Sequence, residues 1–202
     1  LRADRTHMGN PNPYGEKYGP DEGPKDIRAV LEKALYHHDH RLVLVVDAES
    51  DGLYGRVWAI GAVVVDGRGR LVGNFAGQTN PANVKDEWTR KNVVPHVRLR
   101  LFTSGRALRD AFWAFYRTWR RCVVVVDVGA PVENGLFRAC VEDDPARTME
   151  GPYPLHEVAT ALLCAGVDPD VDRRKWGRQS AEFPHSPVWD ALASAACWFR
   201  AR

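Results

Sequence analysis

The stretch Leu42-Val43-Leu44-Val45-Val46-Asp47-Ala48-Glu49-Ser50-Asp51-Gly52-Leu53-Tyr54-Gly55 decides how the chain is read. Five apolar residues in a row suit a strand covered on both faces, as in the middle of a sheet. Such a strand has no packing reason to end in Asp47 and Glu49. Side chains two apart on a strand point to the same side, so both carboxylates can share one pocket. Read alone, Asp-x-Glu at a strand end is equally a solvated turn.

Working outward, Arg56 to Thr79 reads as a hairpin turning at Asp66-Gly67-Arg68-Gly69. Residues 84–95 and 103–120 read as helices, the second carrying a core stripe of Phe112, Trp113, Phe115, Tyr116 and Trp119 and ending in an exposed basic run at 117–121. Cys122 to Asp127 repeats the first pattern, an uninterrupted apolar strand ending in an acid. A short helix is expected from "PVENGLFRAC", another in "PLHEVATALLCAG" with its stop at Gly166, then a basic loop "VDRRKWGRQ". The last helix lies in "SPVWDALASAACWFR", with Ser186 as N-cap and Pro187 as first helical residue. The order predicts an α/β domain with a mixed sheet, three antiparallel strands plus parallel ones, flanked by helices.

Upstream, residues 1–24 are expected to be a mobile segment rich in Gly and Pro, with 1–8 resembling sequence left by cloning. Residues 25–202 are expected to form a single domain that opens on a helix with apolar positions Ile27, Val30, Leu31, Ala34 and Leu35. The composition, 45% hydrophobic and 27% charged with a net charge of +2, is that of a globular protein and neither demands nor opposes a nucleic-acid partner. No apolar run reaches about 18 residues and no secretory leader is visible, so no membrane partner and a cytoplasmic location are expected. The four cysteines lack Cys-x-x-Cys spacing and read as buried, reduced thiols rather than zinc ligands.

Two further groups of residues bear on the acids. In "FPHSPVWDALASAACW", His185 falls on the loop before the last helix and Asp190 in its first turn. The small residues Ala191, Ala193, Ser194, Ala195 and Ala196 would let that helix lie close to a sheet. Asp190 could otherwise serve only to compensate the helix dipole, and His185 could be a plain loop histidine. Glu133, just past the second buried strand, could face the same strand ends; Asp127, which ends that strand, competes with it.

Together these residues resemble the DEDDh 3′–5′ exonuclease superfamily, over roughly residues 41–200. Asp47-x-Glu49 is similar to its first motif, and "HSPVWD" to its third, which assigns His185 and Asp190. At the second motif "PVE" places Glu133 where Asp is usual, as in a bacterial sub-branch. The resemblance implies a ribonuclease-H-like fold and a pair of divalent cations, Mg²⁺ or Mn²⁺, held by Asp47, Glu49, Glu133 and Asp190. It implies that His185 takes a proton from the attacking water, its ordinary pKa near ~6.5 suiting that task. Electrostatics agrees: two carboxylates ~4 Å apart repel by ~4 kcal/mol at an effective dielectric of ~20, so protons or cations must intervene. Oxygen-only donors favour Mg²⁺ or Mn²⁺ over zinc.

The implied activity is release of nucleoside 5′-monophosphates from the 3′ end of single-stranded DNA or RNA. Ser50, Leu53 and Tyr54, after the first motif, are expected at the terminal nucleotide. Arg174, Lys175 and Trp176, with Arg173 and Arg178 beside them, suit backbone contact and base stacking; a solvated charge run around a packed Trp fits the same residues. Rival readings are a nuclease fold that binds nucleic acid or a protein partner without cutting, and a same-fold phosphodiesterase for short or cyclic oligonucleotides. A homodimer is left open.

Overall fold

The computed structural model describes residues 42–177 and 185–202. The expected mobile segment over 1–24, the helix that follows it and Arg178 lie outside the described residues. Five strands form one mixed sheet: β1 (Val43–Ser50), β2 (Val57–Val65), β3 (Leu71–Gln78), β4 (Val123–Val126) and β5 (His156–Glu157), in the spatial order β3-β2-β1-β4-β5. β1, β2 and β3 are antiparallel, whereas β4 runs parallel to β1 and β5 parallel to β4. The α/β architecture and the mixture of strand directions agree with expectation.

The helices are α1 (Glu87–Asn92), α2 (Gly105–Trp119), α3 (Asn134–Asp143), α4 (Val158–Cys164), α5 (Arg173–Gly177) and α6 (Pro187–Ala201). β1 separates two apolar layers by its own alternation. Leu44, Val46 and Ala48 pack with Leu108, Phe112, Trp113 and Tyr116 of α2 and Leu136, Phe137 and Cys140 of α3. Val43 and Val45 pack on the opposite face with Val158 and Leu162 of α4 and Ala191, Ala195, Cys197 and Trp198 of α6. Burial on both faces is the reason the run 42–46 is apolar at every position.

At the β2–β3 turn the Asp66 carboxylate accepts from the N–H groups of Arg68 and Arg70, both at 2.9 Å, and Gly69 takes the left-handed conformation at φ 74°. Ser104 caps α2, its Oγ accepting from the Ala107 N–H at 3.1 Å. The aromatic stripe of α2 is core, with Phe112, Trp113 and Tyr116 buried and Arg117, Arg120 and Arg121 exposed beyond it.

Four local expectations are corrected. The helix expected over 84–95 is reduced to α1, between 3₁₀ turns at Pro81–Asn83 and Val94–His96. Asp86 starts it late by capping the Thr89 N–H at 2.7 Å, and Pro95 lacks the N–H needed to continue the ladder. His156 and Glu157, expected to be helical, instead pair with Val125 and Val126 as an edge strand. The basic loop contains the short helix α5. Cys164 is exposed and Cys122 half-buried rather than buried, although all four cysteines are free thiols. No described helix is long and apolar enough to cross a membrane.

Candidate functional site

Because Val43 and Val45 face α6, the period of two puts Asp47 and Glu49 on that same face. What brings α6 to them is Gly61. It stands opposite Asp47 in the β1–β2 ladder, and a Cβ there would overlap the backbone of Pro187 and Val188. A bare glycine therefore lets the first turn of α6 rest directly on β2. Pro187 occupies the first helical position as expected; Ser186 precedes it, but its side chain makes no capping bond. Asp190, in that first turn, meets the strand acids: Asp47, Glu49 and Asp190 each offer an oxygen, all within 4.8 Å of one another.

Clustering and enclosure shift all of these acids upward. Asp47 lies well above the usual carboxylate range, first from desolvation and then from the charges of Glu133, Glu49 and Asp190. Glu49 is pushed up to about 8 by burial, reinforced by Asp190 and Glu133. Asp190 rises only to about 6, because the Arg174 guanidinium opposes its desolvation. That pair is direct, Arg174 Nε to Asp190 Oδ1 at 3.3 Å.

Glu133 is buried, and its Oε1 accepts from the Ala48 N–H at 3.2 Å. β4 stops pairing with β1 at Val46, so this carboxylate takes up the strand where the ladder ends. A helical turn over Gly129–Glu133 carries it there. Burial pushes Glu133 to about 8 despite the hydrogen bond from Ala48. Asp127, its rival, is ion-paired with Arg173 at 2.6 Å. The arrangement thus sets Glu133 against the acid-bearing strand and gives Asp127 a cationic partner already.

His185 sits just before α6 with a left-handed backbone, φ 57°. Its ring lies 6.1 Å from that of Trp88, edge to face, and 6.2 Å from that of His96. Partial burial, Arg174 and His96 together hold its pKa below 6.5, which favours a neutral imidazole at pH 7. A cleft of about 370 Å³ opens nearby, with Glu49 and Ser50 at one wall and Leu53, Trp88, Val93 and Val132 among the others. Leu53 and Trp88 are 62% and 61% exposed, large apolar surfaces beside charged groups.

Ser50 lines this cleft but spends its hydroxyl on the Gly52 carbonyl at 2.8 Å, so it holds the turn. Tyr54 is exposed in a separate depression beside Arg56 and Arg109. Lys175 is exposed. Trp176 is half-buried, packs against the core beneath α6 and carries the Arg200 guanidinium 4.6 Å from its ring centre.

Sequence reasoning missed Gly61, Trp88 and Asp51. Asp51 accepts from the N–H groups of Lys85 and Asp86, at 2.8 and 2.7 Å, and Gly52 donates to Thr89 Oγ1 at 3.2 Å. These bonds tie the loop after the acids to α1 and set Trp88 at the cleft. The acid after Asp47-x-Glu49 was a readable signal; its partner 34 residues away was not.

The donor set fits hard divalent cations. It is all oxygen, its members are too close to ionise together unaided, and among the described residues the cation paired with it is the Arg174 guanidinium, 3.3 Å from Asp190. No protein-family model matches the chain, and a search of curated proteins returns no match.

Proposed function

We propose that this chain is a metal-dependent 3′–5′ exonuclease of ribonuclease-H-like fold, hydrolysing single-stranded DNA or RNA to nucleoside 5′-monophosphates. The convergence of Asp47, Glu49 and Asp190 within 4.8 Å, from a strand and a helix remote in sequence, carries this reading. The sheet order, with three antiparallel strands leading into parallel ones, supports the fold assignment.

Asp47, Glu49, Asp190 and Glu133 would hold two Mg²⁺ or Mn²⁺ ions. When bound, such a pair neutralises the acids and supplies Lewis-acid stabilisation of the charge that builds on the phosphoryl oxygens. The remaining work falls to the chain. β1 and the Gly61 contact fix the backbone that carries Asp47, Glu49 and Asp190. Neutral His185 accepts the proton of the attacking water at a ring nitrogen as the new P–O bond forms and the bond to the 3′-oxygen breaks, that oxygen leaving on the shortened strand and taking a proton from solvent. Leu53 and Trp88 offer apolar faces to the terminal base beside Glu49.

The test is Mn²⁺-dependent trimming of 5′-labelled single-stranded DNA and RNA. The parent should give a ladder shortening from the 3′ end with 5′-monophosphate products, Asp47→Ala should give none, and His185→Asn should trim at least about 100-fold more slowly. Absence of trimming by the parent with either metal, or unchanged rates in both variants, overturns the reading.

A further inference from the structure

We infer that Arg174 is a resident counter-ion of the acidic site, moving from Asp190 to a substrate phosphate as divalent cations load. This rests on the function proposed above and adds to it the device that couples metal occupancy to phosphate binding.

The backbone that presents Arg174 is firmly held. Asp172 accepts from the N–H groups of Arg174 and Lys175 at 3.0 and 3.2 Å. Arg173 is locked to Asp127 at 2.6 Å, the Cys197 thiol donates to the Arg173 carbonyl at 3.2 Å, and Arg200 donates to the Trp176 carbonyl. The Arg174 side chain is the loose member: among the described residues it has one ion pair, at 3.3 Å, with both groups about a quarter exposed (24% and 22%). Its charge also acts on His185, so it stands near both the acids and the histidine.

A guanidinium and a divalent cation on one carboxylate repel each other, so loading Asp190 with metal frees Arg174. A phosphate held by cations on Asp47, Glu49 and Asp190 would then adjoin the freed guanidinium, which starts 3.3 Å from Asp190. Planar guanidinium binds phosphate through two parallel N–H donors, a better match than its single long contact with Asp190. The exchange would leave Asp190 charge-compensated before metal arrives and the site phosphate-selective after.

Calorimetry with Mn²⁺ alone on the full chain tests the first half. Arg174→Gln should bind Mn²⁺ about two- to fivefold more tightly than the parent, the competition expected of a partly exposed ion pair. Arg174→Lys, which keeps the charge, should resemble the parent. With Mn²⁺ saturating, affinity for a nucleoside 5′-monophosphate should fall about tenfold or more in both variants, since Lys lacks the forked donors. Thermal melts establish that both variants fold. Mn²⁺ affinity in Arg174→Gln equal to or weaker than the parent overturns the inference, as does unchanged monophosphate affinity. Metal and phosphate shifts as expected, without trimming of any oligonucleotide, would support the exchange and defeat the exonuclease reading alone.

Discussion

Gly61 and Asp47 face each other across β1 and β2, and the backbone of Pro187 fills the place where a Gly61 side chain would stand. The closeness of α6 to the sheet, and hence of Asp190 to Asp47, depends on that missing Cβ. Gly61→Ala must push the start of α6 outward. Overpacking of this kind costs about 1–3 kcal/mol of stability, while a displacement of ~1 Å at catalytic groups costs about 100-fold in rate. The expected result is a folded protein with kcat lowered about 100-fold, measured beside its thermal midpoint. Parental kcat would show that α6 does not need this contact.

Glu133 serves both the strand and the acid cluster, and two variants separate those roles. Glu133→Gln keeps an oxygen for the Ala48 N–H and removes the charge, so its stability without added metal should match or exceed the parent's. Glu133→Ala strands that buried N–H and should lose about 1–3 kcal/mol in denaturant unfolding. In Glu133→Gln, Mn²⁺ affinity should fall about tenfold or more by calorimetry. Unchanged affinity would remove Glu133 from the ligand set.

Stability should respond to pH in a direction unlike that of ordinary surface acids. Glu49 and Glu133, both raised from 4.5 to about 8, bind more protons folded than unfolded. Their contribution is present below pH 4.5 and is lost as pH rises toward 8. His185, lowered from 6.5, works the opposite way only below that value. Between pH 6.5 and 8, therefore, the thermal midpoint in EDTA should fall, and the gap to the midpoint in excess Mg²⁺ should widen. A flat or rising midpoint in EDTA across that window contradicts the electrostatics of the site.

His185 should matter to turnover and not to metal. His185→Asn suits the left-handed backbone, which Asn tolerates better than most residues. It should lower kcat about 100- to 10,000-fold with Mn²⁺ affinity unchanged. Loss of Mn²⁺ binding would make the histidine a ligand instead of a base.

Trp88 tests the cleft. Loss of a base-stacking ring costs about 1–3 kcal/mol, so Trp88→Ala should raise KM for an oligonucleotide about tenfold and leave kcat near the parent's. An unchanged KM would move the terminal base elsewhere.

The sheet was largely legible because its central strands announce themselves. The runs at 42–46 and 123–126 are apolar throughout since helices cover both faces, and Asp66 with Gly69 marks the hairpin turn. The acids could be found because carboxylates contradict such a strand. Less legible were features set by distant partners. His156 and Glu157 are a strand only because β4 offers a free edge, and α1 is short because Asp86 and Pro95 bound it. Trp176 reads equally as a stacking residue or a packed one, and its contact with Arg200, 24 positions on, is not visible in the sequence. Gly61 looked like any glycine in an apolar run; its meaning lies in a helix 126 residues later.

The alternation of β1 also limits how the chain can vary. Adding or deleting one residue before Asp47 would invert every later side chain in the strand, driving the carboxylates into the hydrocarbon under α2 and turning Ala48 toward α6. Only even-numbered changes of length would keep chemistry on the correct side, so indels here should be tolerated in pairs or not at all.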